Sequence, residues 1–220
     1  MKKTSCKISV LVLTCLTTLS ASGTGLINGG FEAIPVSVPT SYFVAPAGFG
    51  WTVVSNDIDI LPSTYWQPSG GNQSIDLNGG SPSSIYQDFN FSSAGTWTVK
   101  FDLSSNPDLF SRGDGLGTGF KNLRVDFGPI GSLTSLGTYS LDSAPRTVSN
   151  MQWVTFTTPQ IIVSDSVLYR LQFTSLVPGI AGNALDNIQL QVVPEPSTIA
   201  LLSSSLIGFC IYRRRNNYKV

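Results

Sequence analysis

The chain has 220 residues, no histidine and a formal net charge of zero at pH 7. Without histidine it lacks the usual general base, the Ser–His and Cys–His nucleophile pairs and the commonest zinc ligand. Its three cysteines, Cys6, Cys15 and Cys210, lie near the termini, so the central part of the chain has no cysteine for a disulfide or a nucleophile.

The first residues follow the pattern of an export signal. Lys2, Lys3 and Lys7 form a positive segment, residues 8–19 are largely apolar, and residues 20–23 are small, as at a signal-peptidase site. We therefore expect residues 1–23 to be a signal peptide and the chain to be exported.

The part between the two ends is acidic. From Thr24 to Val193 there are six basic and twelve acidic residues, so its net charge is −6. Because such a body has no electrostatic attraction for a phosphate backbone, we expect no nucleic-acid partner.

Residues 24–193 carry the signature of short β-strands. In Thr96–Leu103 apolar and polar residues alternate, which predicts a strand with one buried face. Similar runs occur at Ser84–Phe91, Leu123–Phe127, Gln152–Thr157, Leu168–Phe173 and Asn187–Val193, separated by Gly, Pro, Asn, Asp and Ser clusters. We predict one all-β domain over 24–193, a single antiparallel β-sandwich or jelly roll. We expect Trp51, Trp97 and Trp153 in its core.

A carbohydrate site needs an accessible aromatic ring with amide and carboxylate groups around it. The best candidate is Tyr65-Trp66-Gln67, a segment outside any strand pattern and bounded by Pro62 and Pro68. Strand ends supply further polar candidates, namely Asp76, Gln87 and Asn106. The alternative for Trp66 is a place in the core.

The sequence indicates no definite cofactor, and a structural Ca²⁺ is the one candidate. The stretch from Asn106 to Gly117 offers Asp108, Asp114 and glycine carbonyls, the hard oxygen donors that calcium prefers. A solvated loop explains these residues equally well. Asp186-Asn187 is a second candidate place for calcium.

Catalysis has one candidate pair. Asp57 and Asp59 are two residues apart and face the same way on a strand, and a glycosidase uses two carboxylates. Two surface aspartates beside a strand give the same pattern. We expect no enzyme.

The last residues, 194–220, hold three features in order. Pro194-Glu195-Pro196 comes first, then the apolar run Ser197–Tyr212, then Arg213-Arg214-Arg215. As a helix the run would span roughly 24 Å, somewhat short of a bilayer core of about 30 Å, and the arginines would hold its end in the cytoplasm. An ordinary C-terminal membrane anchor has the same general form.

This arrangement resembles the PEP-CTERM sorting signal of exopolysaccharide-producing Gram-negative bacteria. The resemblance implies that an exosortase, a membrane protease-transpeptidase, recognises the tail and cuts near the triplet. It implies a transient inner-membrane anchor and a final place at the cell surface or in the extracellular matrix.

The central part also resembles a known family. The segments that carry the resemblance are Asn28–Glu32, Gly50–Val53, Gln73–Gly79, Ile85–Phe89, Phe101–Pro107 and Ala184–Ile188. They are similar to the choice-of-anchor type C ectodomain and to a related plant cell-wall family. The resemblance implies a galactose-binding-like jelly roll and a role in polysaccharide binding.

Three functions remain open on the sequence. The first is a non-catalytic, exported protein that binds exopolysaccharide or another cell-surface glycan. The alternative is a structural or adhesive matrix protein without a specific sugar ligand, and a glycoside hydrolase is the third reading.

Overall fold

The computed structural model describes residues 25–107 and 119–193. Every regular element in these ranges is a β-strand, which confirms the predicted all-β class. Nowhere in the same ranges is there a helix long and apolar enough to cross a membrane. The predicted signal peptide and the predicted membrane helix of the C-terminal segment lie outside the described residues.

Within residues 25–107 and 119–193, twelve strands form two sheets, and every pair of neighbouring strands is antiparallel. The seven-stranded sheet has the order β1-β3-β4-β12-β6-β10, with β9 also pairing with β6, and the five-stranded sheet has the order β2-β5-β11-β7-β8. The strands are β1 (Thr40–Tyr42), β2 (Thr52–Ser55), β3 (Ile58–Pro62), β4 (Gln73–Asp76), β5 (Ser84–Asn90), β6 (Gly95–Ser105), β7 (Phe120–Pro129), β8 (Thr134–Asp142), β9 (Val154–Thr157), β10 (Ile161–Val163), β11 (Leu168–Ser175) and β12 (Asn183–Val192). The predicted antiparallel β-sandwich is therefore confirmed.

The core lies between the two sheets and follows from the alternation in the strands. In β6 every second side chain from Trp97 to Leu103 is buried, and in β11 Leu171 and Phe173 are buried in the same way. Phe101 and Phe173 meet across the interface with ring centroids 5.4 Å apart in an edge-to-face arrangement. Each such side chain contributes roughly 1.5–3 kcal/mol through its burial.

The six predicted runs all contain strands, namely β5, β6, β7, β9, β11 and β12. Trp51 and Trp97 are core residues as predicted. Trp153 is only half-buried and packs against a smaller cluster outside the main core. Six strands lie outside these predicted runs, namely β1, β2, β3, β4, β8 and β10. Strand β8 has no fully buried side chain and contains Gly137, and β10 is three residues long.

The N-terminal segment packs against the middle of β12. Asn187 has a positive φ of 50°, and the pairing of β12 with β6 shifts register between Asp186 and Gln189. At this bulge the N–H of Ile188 donates to the carbonyl of Gly29 at 2.8 Å, and a side chain at Gly29 would overlap the Ile188 carbonyl. The first and last segments of the family resemblance therefore form one structural contact.

Candidate functional site

The outer face of the five-stranded sheet is lined with polar groups. Because Leu171 and Phe173 of the central strand β11 point into the core, Arg170 and Gln172 point outward. Arg170 pairs with Asp88 of β5. Gln172 lies between Tyr86 of β5 and Asp126 of β7. We call this surface the outer sheet face.

Tyr86, Asp88 and Arg170 form a fixed unit on the outer sheet face. The Arg170 guanidinium lies 3.5 Å from the centroid of the Tyr86 ring. It also donates twice to Asp88, from Nε at 2.7 Å and from Nη2 at 2.8 Å. The hydrogen bond to Asp88 is the main reason why the pKa of Arg170 lies above its usual range. The unit therefore holds a cation over one face of the aromatic ring, with a carboxylate paired to that cation.

A second polar group lies next to this unit. Arg124 Nε donates to Asp126 at 2.8 Å, and Asp126 is nearly buried while Arg124 stays partly exposed. The Gln172 amide donates to the Thr174 hydroxyl at 3.2 Å. The outer sheet face thus combines two cations, two carboxylates, an amide, hydroxyls and one ring.

Trp66 does not present its ring to solvent, so the prediction of an accessible stacking platform there is wrong. Its side chain is 1% exposed and packs with Leu61, Met151 and Ala184 in a small cluster outside the seven-stranded sheet. The indole Nε1 donates to the hydroxyl of Ser74 at 2.8 Å. Trp66 is therefore a core residue of the layer that covers this sheet.

The neighbours of Trp66 support the same layer. The Gln67 side-chain oxygen accepts from the N–H of Met151 at 3.2 Å, and the Gln67 carbonyl accepts from the Trp153 indole at 2.9 Å. Tyr65 is 41% exposed and lies beside Trp66, with ring centroids 6.3 Å apart. Of this predicted trio, Tyr65 alone presents an exposed ring.

Asp76 and Asn106 are brought together, but Asp76 is 1% exposed, so the prediction that it contacts a sugar is wrong. The Asn106 amide donates to Asp76 Oδ2 at 2.6 Å, and the backbone N–H groups of Asn78 and Gly182 donate to the same carboxyl. Asp76 is buried, and burial raises its pKa to about 7 in spite of these donors. The pair joins β4 to the end of β6 beneath the surface.

Gln87 is inside the sandwich, so the prediction that it helps bind a sugar is wrong. It alternates with Tyr86 and points to the opposite side of β5. Its side-chain oxygen accepts from the N–H of Ile27 at 2.7 Å, and its amide donates to the carbonyls of Ile27 and Gly50. Gln87 thereby attaches the N-terminal segment to the sheet.

The aspartates considered for hydrolysis hold backbone and hydroxyl groups. Asp57 is buried and accepts from the N–H of Gly80 at 2.6 Å, whereas Asp59 accepts from the Ser41 hydroxyl. Burial, with the charge of Asp57 as a smaller cause, raises the pKa of Asp59. The earlier description of two surface aspartates is wrong for Asp57, which is 5% exposed.

The described residues contain no group of three or more His, Cys, Asp or Glu arranged to hold a metal ion. Asp108 and Asp114 lie outside the described residues, so calcium there stays a prediction. The carboxyl of Asp186, the second place considered, accepts from the N–H groups of Ser69, Gly70 and Asn187. Burial raises the pKa of Asp186 to about 7.

Tyr86 and Arg170 were not predicted as site residues, although the sequence held part of the signal. The alternation in β5 places Tyr86 and Asp88 on one face, opposite to Gln87. Arg170 is 82 positions from Asp88 in the sequence, so only the pairing of β11 with β5 reveals their contact.

Comparisons with known proteins identify the C-terminal segment. Residues 192–215 match the family model of the PEP-CTERM protein-sorting motif, which confirms the predicted signal. The motif residues Pro194, Glu195, Pro196, Arg213, Arg214 and Arg215 lie outside the described residues. No curated protein sequence matches the chain.

The described body is similar to solved carbohydrate-binding modules. TmCBM61 in complex with β-1,4-galactotriose is 16% identical, with a TM-score of 0.42 over 78% of this chain and 100% of that chain. CBM35 from Paenibacillus barcinonensis is 22% identical, with a TM-score of 0.43 over 70% and 99%. The CBM22-1 xylan-binding domain from the same organism is 14% identical, with a TM-score of 0.43 over 73% and 99%. Likeness at this level transfers no ligand and no site residue.

Proposed function

We propose that this is an exported, exosortase-sorted protein of the cell surface or extracellular matrix that binds a polysaccharide on its outer sheet face, without catalysis. The observation that carries the sugar-binding proposal is the unit of Tyr86, Asp88 and Arg170 on an open β-sheet face. The sorting motif carries the proposal on location, because it indicates export and a membrane-anchored signal for the surface.

The outer sheet face has the chemistry that a sugar chain needs. The Arg170 guanidinium covers one face of the Tyr86 ring, so a sugar ring would pack on the remaining ring surface. The Gln172 amide and the carboxylate of Asp88, which is more exposed than that of Asp126, can form hydrogen bonds with sugar hydroxyls. The ion pairs hold Arg124 and Arg170 in place before any ligand arrives, so less conformational entropy is lost on binding.

The charges on this face favour an uncharged polymer. Each of its two arginines has a carboxylate partner within 2.8 Å, so the positive charges are already balanced. A polyanionic glycan would meet two carboxylates as well as two guanidinium groups, and it would also approach a body of net charge −6. We therefore propose a neutral exopolysaccharide or another neutral cell-surface glycan as the ligand class.

Retention of the mature protein on immobilised polysaccharides, including the host's own polymer, tests this proposal. We expect Tyr86→Ala to weaken retention about 10-fold, since an aromatic contact contributes roughly 1–1.5 kcal/mol. Tyr65→Ala is the matched control, because Tyr65 is an exposed tyrosine in the layer that covers the seven-stranded sheet, away from the outer sheet face. Loss with Tyr65→Ala and not with Tyr86→Ala would refute the site. If no glycan retained the wild-type protein, the structural-matrix alternative would stand instead.

The sorting part of the proposal has its own test. We propose that the exosortase cuts near Pro194-Glu195-Pro196 and that Arg213-Arg214-Arg215 hold the uncut tail in the inner membrane. Glu195→Ala should then leave the full-length chain in the inner membrane, as seen by its mass and by fractionation. If this variant were processed and released normally, the exosortase proposal would fail, and the alternative of an ordinary C-terminal membrane anchor would survive.

A further inference from the structure

The last strand leads directly into the sorting motif. β12 ends at Val192, and the N–H of Val193 still donates to the carbonyl of Thr96 at 2.8 Å. The next residue is Pro194, the first of the triplet. The sheet is thus hydrogen-bonded up to the residue that precedes the motif's prolines, and no linker separates them. We call this end of the sandwich the exit end.

The strand register shows what else lies at the exit end. Val192 is opposite Trp97 near the start of β6, whose preceding turn therefore lies there. Aromatic contacts connect this end of the seven-stranded sheet to the five-stranded sheet, since the Phe91 ring contacts both Trp97 of β6 and Tyr169 of β11. Tyr169 lies opposite Pro129, so the β7–β8 turn and the β10–β11 connection are also at the exit end.

Exposed aliphatic side chains collect at this end. The N–H of Ile130 donates to the carbonyl of Leu168 at 3.3 Å, which places these two residues side by side. Ile162 lies opposite Thr96, one position from Trp97. The exposed fractions are 46% for Ile130, 37% for Leu133, 85% for Ile162, 46% for Leu168 and 39% for Val192. We call these five residues the exit-end patch.

The exit end is almost uncharged, although the body carries a net charge of −6. The turns 91–95, 130–133 and 164–167 contain a single charged residue, Asp165. Asp88 and Arg170, further along the neighbouring strands, form an ion pair, and Glu195 of the triplet adds one negative charge. An apolar end with so little negative charge can approach an anionic lipid surface without strong repulsion.

The length of the triplet fixes how far this end is from lipid. Three residues span at most roughly 10 Å, and the apolar run Ser197–Tyr212 follows them. We propose that, until the sorting signal is removed, the exit-end patch rests in the interfacial region of the outer leaflet of the inner membrane. The inference depends on the sorting motif and does not depend on glycan binding.

A fluorescence experiment on the full chain tests this proposal. With the three native cysteines replaced by serine, Ser132→Cys places a nitrobenzoxadiazole label beside the patch. Ala144→Cys places the same label at the opposite end, just beyond Asp142, which pairs with Phe120. The protein is reconstituted in phosphatidylethanolamine–phosphatidylglycerol vesicles that contain a nitroxide-labelled phospholipid. We expect severalfold stronger quenching at 132 than at 144, and equal quenching at both positions would overturn the proposal.

A paired variant shows whether the patch itself makes the contact. Ile130→Ser with Leu168→Ser should reduce quenching at 132 to the level seen at 144, while Tm stays close to wild type because both side chains are half exposed. Leu176→Ser, at an exposed leucine near the other end, is the control and should change nothing. Unchanged quenching in the paired variant would overturn the proposal. A further outcome would also overturn the proposal: no quenching at 132 in the otherwise wild-type chain, together with slower processing of the paired variant in cells. That result would assign the patch to a protein partner.

Discussion

The ionisation of Asp76 makes a sharp prediction for stability. Burial raises its pKa to about 7 in the folded protein, from 3.8 for an ordinary aspartate. Between these values the folded chain holds a proton that the unfolded chain has lost. The folded state therefore binds more protons, and the free energy of unfolding falls as the pH rises through this window.

The size of the effect follows from the shift. Roughly 3 pH units separate the two pKa values, and each unit corresponds to about 1.4 kcal/mol, so Asp76 contributes up to about 4 kcal/mol of pH dependence. The raised pKa values of Asp59 and Asp186 act in the same direction. Asp102 has a lowered pKa, so its stabilising contribution to the free energy of unfolding is lost only as the pH falls below the ordinary aspartate range.

Urea unfolding of the mature protein at pH 4, 5, 6 and 7, followed by tryptophan fluorescence, measures this slope. Asp76→Asn removes the ionisable group. The fall in the free energy of unfolding between pH 4 and pH 7 should therefore be smaller in this variant, by as much as about 4 kcal/mol. Leu77→Ala, at a buried apolar neighbour, should lower stability at every pH without changing the slope. A wild-type stability that rises with pH over this range, or an unchanged slope in Asp76→Asn, would refute the reasoning.

Three further predictions concern stability. Trp66→Ala should cost about 3–5 kcal/mol in urea unfolding and leave polysaccharide retention intact, whereas lost retention without lost stability would restore Trp66 as a sugar contact. Gly29→Ala should cost about 1–3 kcal/mol, because its methyl group would overlap the backbone of β12, and a neutral result would contradict the contact. If Asp108 and Asp114 bind calcium, millimolar calcium should raise Tm and Asp108→Asn with Asp114→Asn should abolish the rise; a Tm insensitive to calcium would contradict the site.

Alternation within strands was enough to predict the all-β class and six of the twelve described strands. The pattern of Thr96–Leu103 identifies both β6 and its buried face, because a strand half buried in a sandwich must alternate. Strand β8 escapes this logic, since none of its side chains is fully buried, and Leu136, Tyr139 and Leu141 cover the core only in part. The bulge at Asn187 also escapes it, because a positive φ interrupts the alternation and the shift in register is visible only in the pairing with β6.

The site was harder to predict than the fold, because contacts between distant residues define it. The loop around Trp66 has the composition of an exposed segment, yet Met151 covers it from a distant part of the chain. Asp76 and Asn106 meet because β4 and β6 are both neighbours of β12. The sequence shows which side of β5 carries Tyr86, but the strand order alone brings Arg170 beside it.

The position of β12 has a mechanical consequence. This strand is bonded to β6 along most of its length and to β4 at its start, and the chain leaves the body from its end. If the processed protein stays attached through its new C-terminus, flow that drags the body pulls β12 along its own axis. Because the interstrand hydrogen bonds are perpendicular to the strand, such a pull loads them all in shear at once. A body tethered in this way resists extraction far better than one held by a strand that peels off bond by bond.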